Sequence, residues 1–201
     1  WQGHEGLDCR FIWPAVFGRI AMEYEERYGL DRRYLNRIAE INMGNAKRNP
    51  RAQTRSWKFS AGTFTDSDEF NPVIEPGTRR QDCGQITDGA VAVILASDRF
   101  MQGYASRRGV KAGDFPRILG WGHTNAGIRF LDKLERSKGE EFMFPHVRKA
   151  ITDAWRRARI PGVGSLDGIE THDCFTSTEY MAIDHFGLTP PGQSWQAIES
   201  G

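Results

Sequence analysis

Three side chains able to do acid–base or nucleophilic chemistry stand together near the C-terminal end: His172, Asp173 and Cys174, within GIETHDCFTSTEYM (168–181). A thiol can serve as acid, base or nucleophile when its surroundings tune its pKa. An imidazole N–H can donate to a developing oxyanion. The run follows LDGIET (166–171), which reads as a short strand. It precedes Thr176 and Glu179, a T-x-x-E capping box that predicts a helix from about 177 to 186, closed by Gly187. In α/β folds ligands gather at the carboxyl ends of strands. Residues i and i+2 of an extended segment project to one side, which predicts that His172 and Cys174 face one cavity while Asp173 turns away. The structural alternative is that Cys174 packs as a small apolar residue and His172 is a hydrogen-bonded strand-end residue.

The remaining cysteines and histidines offer less. Cys83 precedes GQITDGAVAV and fits a packed cysteine at a strand entrance. Cys9 lies in an irregular opening segment, and His123 follows Gly120-x-Gly122 in a loop. Three cysteines do not form a disulfide framework, and reduced thiols in a cytoplasmic setting are the default. Without a C-x-x-C pair, and with His4, His123, His146, His172 and His185 scattered, no metal site is expected. The GVG at 162–164 lacks the spacing of a phosphate loop.

The elements that must position HDCF follow from periodicity. Trp13, Val16, Phe17, Ile20 and Tyr24 lie on one face of a helix that opens at Pro14 and stops at Gly29. Asp31 caps a second helix, with Leu35, Ile38, Ala39, Asn42 and Ala46 on one side, ended by Asn49-Pro50. Residues 51–82 read as a long surface excursion with short strands, a length often given to lids and binding loops. ITDGAVAVILAS (86–97) suits a central strand covered on both faces, DRFMQGYASRRG reads as a helix, and FPRILGWGHT (115–124) as a second strand. Pro145 opens a further helix with Val147, Ala150, Ile151, Ala154, Trp155 and Ala158 as its stripe. A last capped start falls at Ser194. Helices alternating with strands in the second half predict an α/β layered fold.

The 201 residues carry 27 basic and 26 acidic side chains, a net charge of +1. That balance argues against a nucleic-acid surface. No apolar run is long enough for a membrane-spanning helix. The chain opens at Trp1 without an initiator Met, as a fragment or a trimmed chain would, and a mean hydropathy of −0.56 is polar for its length, which suggests long surface loops or apolar surface supplied by a missing partner.

Taken together, these stretches resemble the thiolase superfamily. TDGAVAVILAS after a Cys-containing loop is similar to a strand of thiolases. WPAVFGRIAMEYEERYGLDRRYLNRIAEINMGNAKRNPRAQ is similar to the helical start of their loop domain, and HDCF is similar to the motif of the sterol-carrier-protein type. The resemblance implies an incomplete thiolase-like α/β fold: loop-domain helices and long loop over 1–82, the last strand and helix of the N-terminal half over 83–113, and the first part of the C-terminal half over 114–201. It implies acyl transfer on 3-ketoacyl-CoA thioesters in lipid metabolism, in fatty acid or sterol degradation. Coenzyme A or acyl-CoA is then the substrate, with no covalently bound cofactor. Cys174 would handle the proton on the substrate's α-carbon, His172 would donate to the thioester oxygen, and Phe175 would shape the acyl pocket. Cys83, Gly84 and Gln85 would lie along the pantetheine. The full-length protein would form a homodimer or homotetramer. The pattern departs from the family in lacking the small-residue nucleophile-Cys motif, G-H-P and C-x-G, so the isolated chain is expected to be inactive. Two alternatives remain open: a thiolase-like retro-aldolase on steroid acyl-CoA, with an OB-fold partner protein, and a non-catalytic lipid- or acyl-CoA-binding scaffold.

Overall fold

The computed structural model describes all residues except 1, 6 and 7, and the side chains of 2 and 4. Eight helices carry the fold among the described residues. They are α1 (Gln2–Glu5), α2 (Ile12–Tyr28), α3 (Arg32–Arg48), α4 (Asp98–Arg108), α5 (Phe130–Arg136), α6 (Pro145–Ala158), α7 (Thr176–Phe186) and α8 (Trp195–Ser200). One small antiparallel hairpin, β1 (Val73–Glu75) and β2 (Thr78–Arg79), pairs Val73 with Arg79 and Glu75 with Thr78.

The two opening long helices form where their periodicity predicts. α2 buries Val16, Ile20 and Tyr24 and ends at Gly29, whose φ of 77° is the left-handed value that favours glycine. Its N-cap, Phe11, has no side-chain acceptor to offer. The Glu75 carboxylate of the hairpin instead takes the amides of Arg10 and Phe11 at 2.8 and 2.7 Å. α3 starts on the Asp31 carboxylate, which accepts from the Arg33 amide at 2.9 Å. It turns Leu35, Ile38 and Ala39 inward. α7 packs on both helices and contributes Tyr180 and Met181 to the core. Phe130 of α5, Met143 and Ile198 of α8 complete it. α5 has no cap of its own: the buried Glu5 carboxylate accepts the Phe130 amide at 2.7 Å, from 125 residues away.

At the centre sits a fully buried carboxylate, Asp184 of α7. The Tyr24 hydroxyl donates to it, and the Gly192 amide approaches it at 3.4 Å. The Phe144 amide donates to Nε2 of His185 at 3.1 Å, so the ring hydrogen sits on Nδ1. Nδ1 lies 2.5 Å from Asp184 Oδ1 and 2.7 Å from the Met181 carbonyl oxygen, so its hydrogen is donated between them. Burial and the Asp184 charge hold the Tyr24 phenol above its ordinary range.

The expected strands at 86–97, 115–124 and 166–171 carry no ladder, which corrects those three readings, and the described residues form a helix-rich fold with one small sheet. Ile86, Val91 and Ile94 are 97%, 93% and 91% exposed. Their β-branched composition suits a strand, but a strand exists only when a neighbour takes its N–H and C=O groups. No such neighbour lies beside them among the described residues.

The 115–124 run is instead fastened to α6. A Cβ at Gly122 would lie 1.6 Å from the Ala150 carbonyl oxygen, and one at Gly120 would lie 2.2 Å from that of Ala154. The alanines of the α6 stripe therefore meet backbone rather than side chains. Thr124 donates to the His146 carbonyl at 2.8 Å, and the Arg157 guanidinium lies 5.0 Å over the Trp121 ring. Gly122→Ala should push this run off the helix and cost about 1–3 kcal/mol, the range for overpacking. Urea denaturation of the variant checks this, and an unchanged midpoint would refute the contact.

Candidate active site

The HDCF segment is held by two strangers in sequence. Residues 80–82 form one 3-10 turn, and the next two residues run antiparallel to Cys174–Phe175. Cys83 bridges Phe175, and the Gly84 amide donates to the Cys174 carbonyl at 2.7 Å. A Cβ on Gly84 would sit 2.9 Å from that same oxygen, so a larger residue would loosen the pair. The structure thus brings together Cys83, Gly84, Cys174 and Phe175. Gln85 follows on the exposed side.

Asp82 locks this junction. It is buried, and its Oδ1 accepts from the Thr176 hydroxyl at 2.8 Å. Its Oδ2 accepts from Arg32 at 2.6 Å and from the Arg79 amide at 2.7 Å. The T-x-x-E reading is corrected here. Thr176 is the first residue of α7 and spends its hydroxyl on Asp82, while Thr178 turns back to the Phe175 carbonyl at 2.6 Å. Tertiary acceptors outcompete the local cap.

Phe175 is buried, with its ring stacked on Phe17 of α2 at 4.2 Å. Cys174 is half-buried, and burial pushes its thiol above the ordinary range. Burial and then the Asp82 charge push the Cys83 thiol up to about 11. Both thiols are therefore protonated near neutral pH, suited to giving a proton rather than to attack. His172 is exposed.

The side that faces a cavity is not the one that alternation predicts. An opening of about 680 Å³ is lined by Asn42, Ile169, Asp173, Glu179, Ile183 and Phe186 among others, with neither His172 nor Cys174 on its wall. Asp173 turns into it because Asn42 of α3 holds it. The Asn42 amide nitrogen lies 2.8 Å from Asp173 Oδ2 and 2.7 Å from Glu179 Oε2. Burial, with the Glu179 carboxyl beside it, raises Asp173 to about 8. The signal for this was an Asn in the otherwise apolar stripe of α3. Among the described residues no group of three His, Cys, Asp or Glu side chains is placed to hold a metal ion, and no helix is long and apolar enough to cross a membrane.

No family model matches the chain. Individual proteins do. Acetyl-CoA acetyltransferase of Methanothermobacter thermautotrophicus is 25% identical over 202 residues, covering 100% of this chain and 47% of the relative. Sterol carrier protein 2 of Homo sapiens is 27% identical over 199 residues, 98% of this chain and 34% of the relative. The Gallus gallus form is 26% identical over 206 residues. This chain is their homologue. The resemblance to the thiolase superfamily thus runs along the whole chain and not only through HDCF. The chain spans between about a third and a half of the length of these relatives.

Proposed function

We propose that this chain forms the α-proton side of a thiolase-type acyltransferase site acting on acyl-CoA thioesters. The observation that carries the reading is the junction of Cys83–Gly84 with Cys174–Phe175, two segments about 90 residues apart, joined by the Gly84–Cys174 bond of 2.7 Å. Similarity to an acetyl-CoA acetyltransferase over the whole chain supports it.

In cleavage of a 3-ketoacyl-CoA the bond between the α- and β-carbons breaks. The acyl group leaves to a nucleophile and then to coenzyme A, and the acetyl-CoA carbanion needs a proton. A thiol held protonated, as Cys174 is, supplies that proton. His172 donates to the thioester oxygen while charge builds there. Phe175 backs the acyl pocket from its place on Phe17, and Cys83, Gly84 and Gln85 run beside the pantetheine. The nucleophile and its base are not among Cys9, Cys83 and Cys174, and the sequence has no G-H-P. The apolar runs at 86–97 and 115–124 are where further strands of such a fold would pair.

A second reading draws on the names of the relatives, which include sterol carrier protein 2 and, from Caenorhabditis elegans, a non-specific lipid-transfer protein-like 2. Here the segment binds acyl-CoA or lipid without turning it over.

Iodoacetamide labelling at pH 8.5, read by peptide mass spectrometry, tests the site. Acetyl-CoA should slow labelling of Cys174 at least threefold and leave Cys9 unchanged, whereas equal rates with and without ligand would overturn the acyltransferase reading and favour the non-catalytic one. The isolated chain should cleave no acetoacetyl-CoA in the presence of coenzyme A. Turnover would refute the assignment of the nucleophile to other residues.

A further inference from the structure

Asp173 does not behave as a passive spacer between His172 and Cys174. Its carboxylate and that of Glu179 both lie within 2.8 Å of one nitrogen, the Asn42 amide of α3. An amide NH2 has two hydrogens, so it can serve both acceptors at once. It brings no positive charge. The groups acting on Asp173 are Glu179 from α7 and Asn42 from α3, and no arginine or lysine is among them. Glu170, from the 166–171 run, lines the same opening and adds a further acid. Cys174, next in the chain, feels the Asp173 charge. Asp173 Oδ1 is buried without a partner among the described residues. Two carboxylates that share one uncharged donor, with no cation among the groups acting on Asp173, repel each other when both are charged.

We propose that Asp173 and Glu179 share one proton and, with Asn42, form a proton-linked clamp that holds the His172–Phe175 segment against α3. With the proton present, the pair closes on the Asn42 amide, and the Cys174 carbonyl is presented to the Gly84 amide. When the proton leaves, two adjacent anions repel across one uncharged donor. Asp173 then swings toward solvent, and the Gly84–Cys174 bond loosens. The three are positioning residues for the segment. This inference concerns how the segment is held, and it stands whether or not the segment does acyl chemistry.

The sign follows from the folded chain keeping a proton that the unfolded chain loses. The Asp173 carboxyl is raised from 3.8 to about 8. Its contribution to stability is fully present below about pH 4 and is lost as pH rises through about 8.

Carboxyl 13C titration of the 201-residue chain, with amide hydrogen exchange at Gly84 corrected for intrinsic rates, tests the clamp. One side-chain carboxyl should titrate above pH 6.5, and Gly84 protection should fall at least tenfold between pH 6 and 9. Glu179→Gln leaves a single carboxylate facing uncharged donors, so protection should stay high and flat with pH. Asn42→Ala should lower protection at every pH. If all carboxyls titrate below pH 5.5, or Gly84 protection in the wild-type chain does not change with pH, the proposal is wrong. The wild-type titration needs no variant, so a variant that fails to fold leaves the test intact.

Discussion

Asp184→Ala is expected to destabilise the chain by about 3–5 kcal/mol, a large part of the stability of an ordinary domain. The carboxylate is fully buried, and three donors converge on it from separate parts of the chain. Tyr24 reaches it from α2, His185 from the neighbouring position of α7, and Gly192 from the turn before α8. Alanine removes the acceptor and leaves the donors in place. An orphaned buried donor costs about 1–3 kcal/mol. His185 keeps the Met181 carbonyl and Gly192 keeps the Tyr24 oxygen at 2.9 Å, so the losses do not simply add. Asp184→Asn should cost less, since its amide can still turn its oxygen to His185 and its NH2 to Tyr24. Urea denaturation of both variants checks the order. A change below 1 kcal/mol for Asp184→Ala would mean that the centre is not held as described.

Asp82→Ala is expected to undo the junction that defines the candidate site. One carboxylate accepts from Thr176 at the start of α7, from Arg32 of α3 and from the Arg79 amide. Its loss leaves a half-buried guanidinium unpaired and a buried hydroxyl without its acceptor, about 2–4 kcal/mol in all. The local effect separates this residue from a merely stabilising one. Cys83 gains access, and the charge that helps hold its thiol high is gone, so its alkylation at pH 8.5 should quicken about tenfold by thiolate fraction. Cys174 labelling should rise with it, because the Gly84–Cys174 bond depends on the same lock. Unchanged labelling at both thiols, in a variant that remains folded, would show that Asp82 does not hold the two segments together.

The local parts of this protein were legible in its residues. A 3.6-residue stripe with Gly29 behind it specifies α2, Asp31 caps α3, Pro145 opens α6, and Gly187 closes α7 with φ 80°. Each depends on neighbours within a turn or two, so the information lies in the sequence itself. HDCF was equally visible, and its likeness to the thiolase superfamily is matched by relatives along the whole chain. What failed were inferences needing a distant partner. β-branched content at 86–97 expresses a preference for strand, but pairing needs a second strand, and none lies beside it among the described residues. α5 showed no start signal because its cap is Glu5. T-x-x-E looked like a cap until Thr176 met Asp82 and Glu179 met Asn42.

The sequence by itself determined the long helices, their caps and the reactive residue types at 172–174. Only the tertiary structure decided that Asp173 lines the cavity, that Cys83–Gly84 lies against Cys174–Phe175, and that Asp82 and Asp184 bind the elements together. Periodicity and capping are short-range steric and hydrogen-bonding preferences. A buried carboxylate instead takes whichever donors the packing of remote helices brings within 3 Å, and no local spacing encodes that choice.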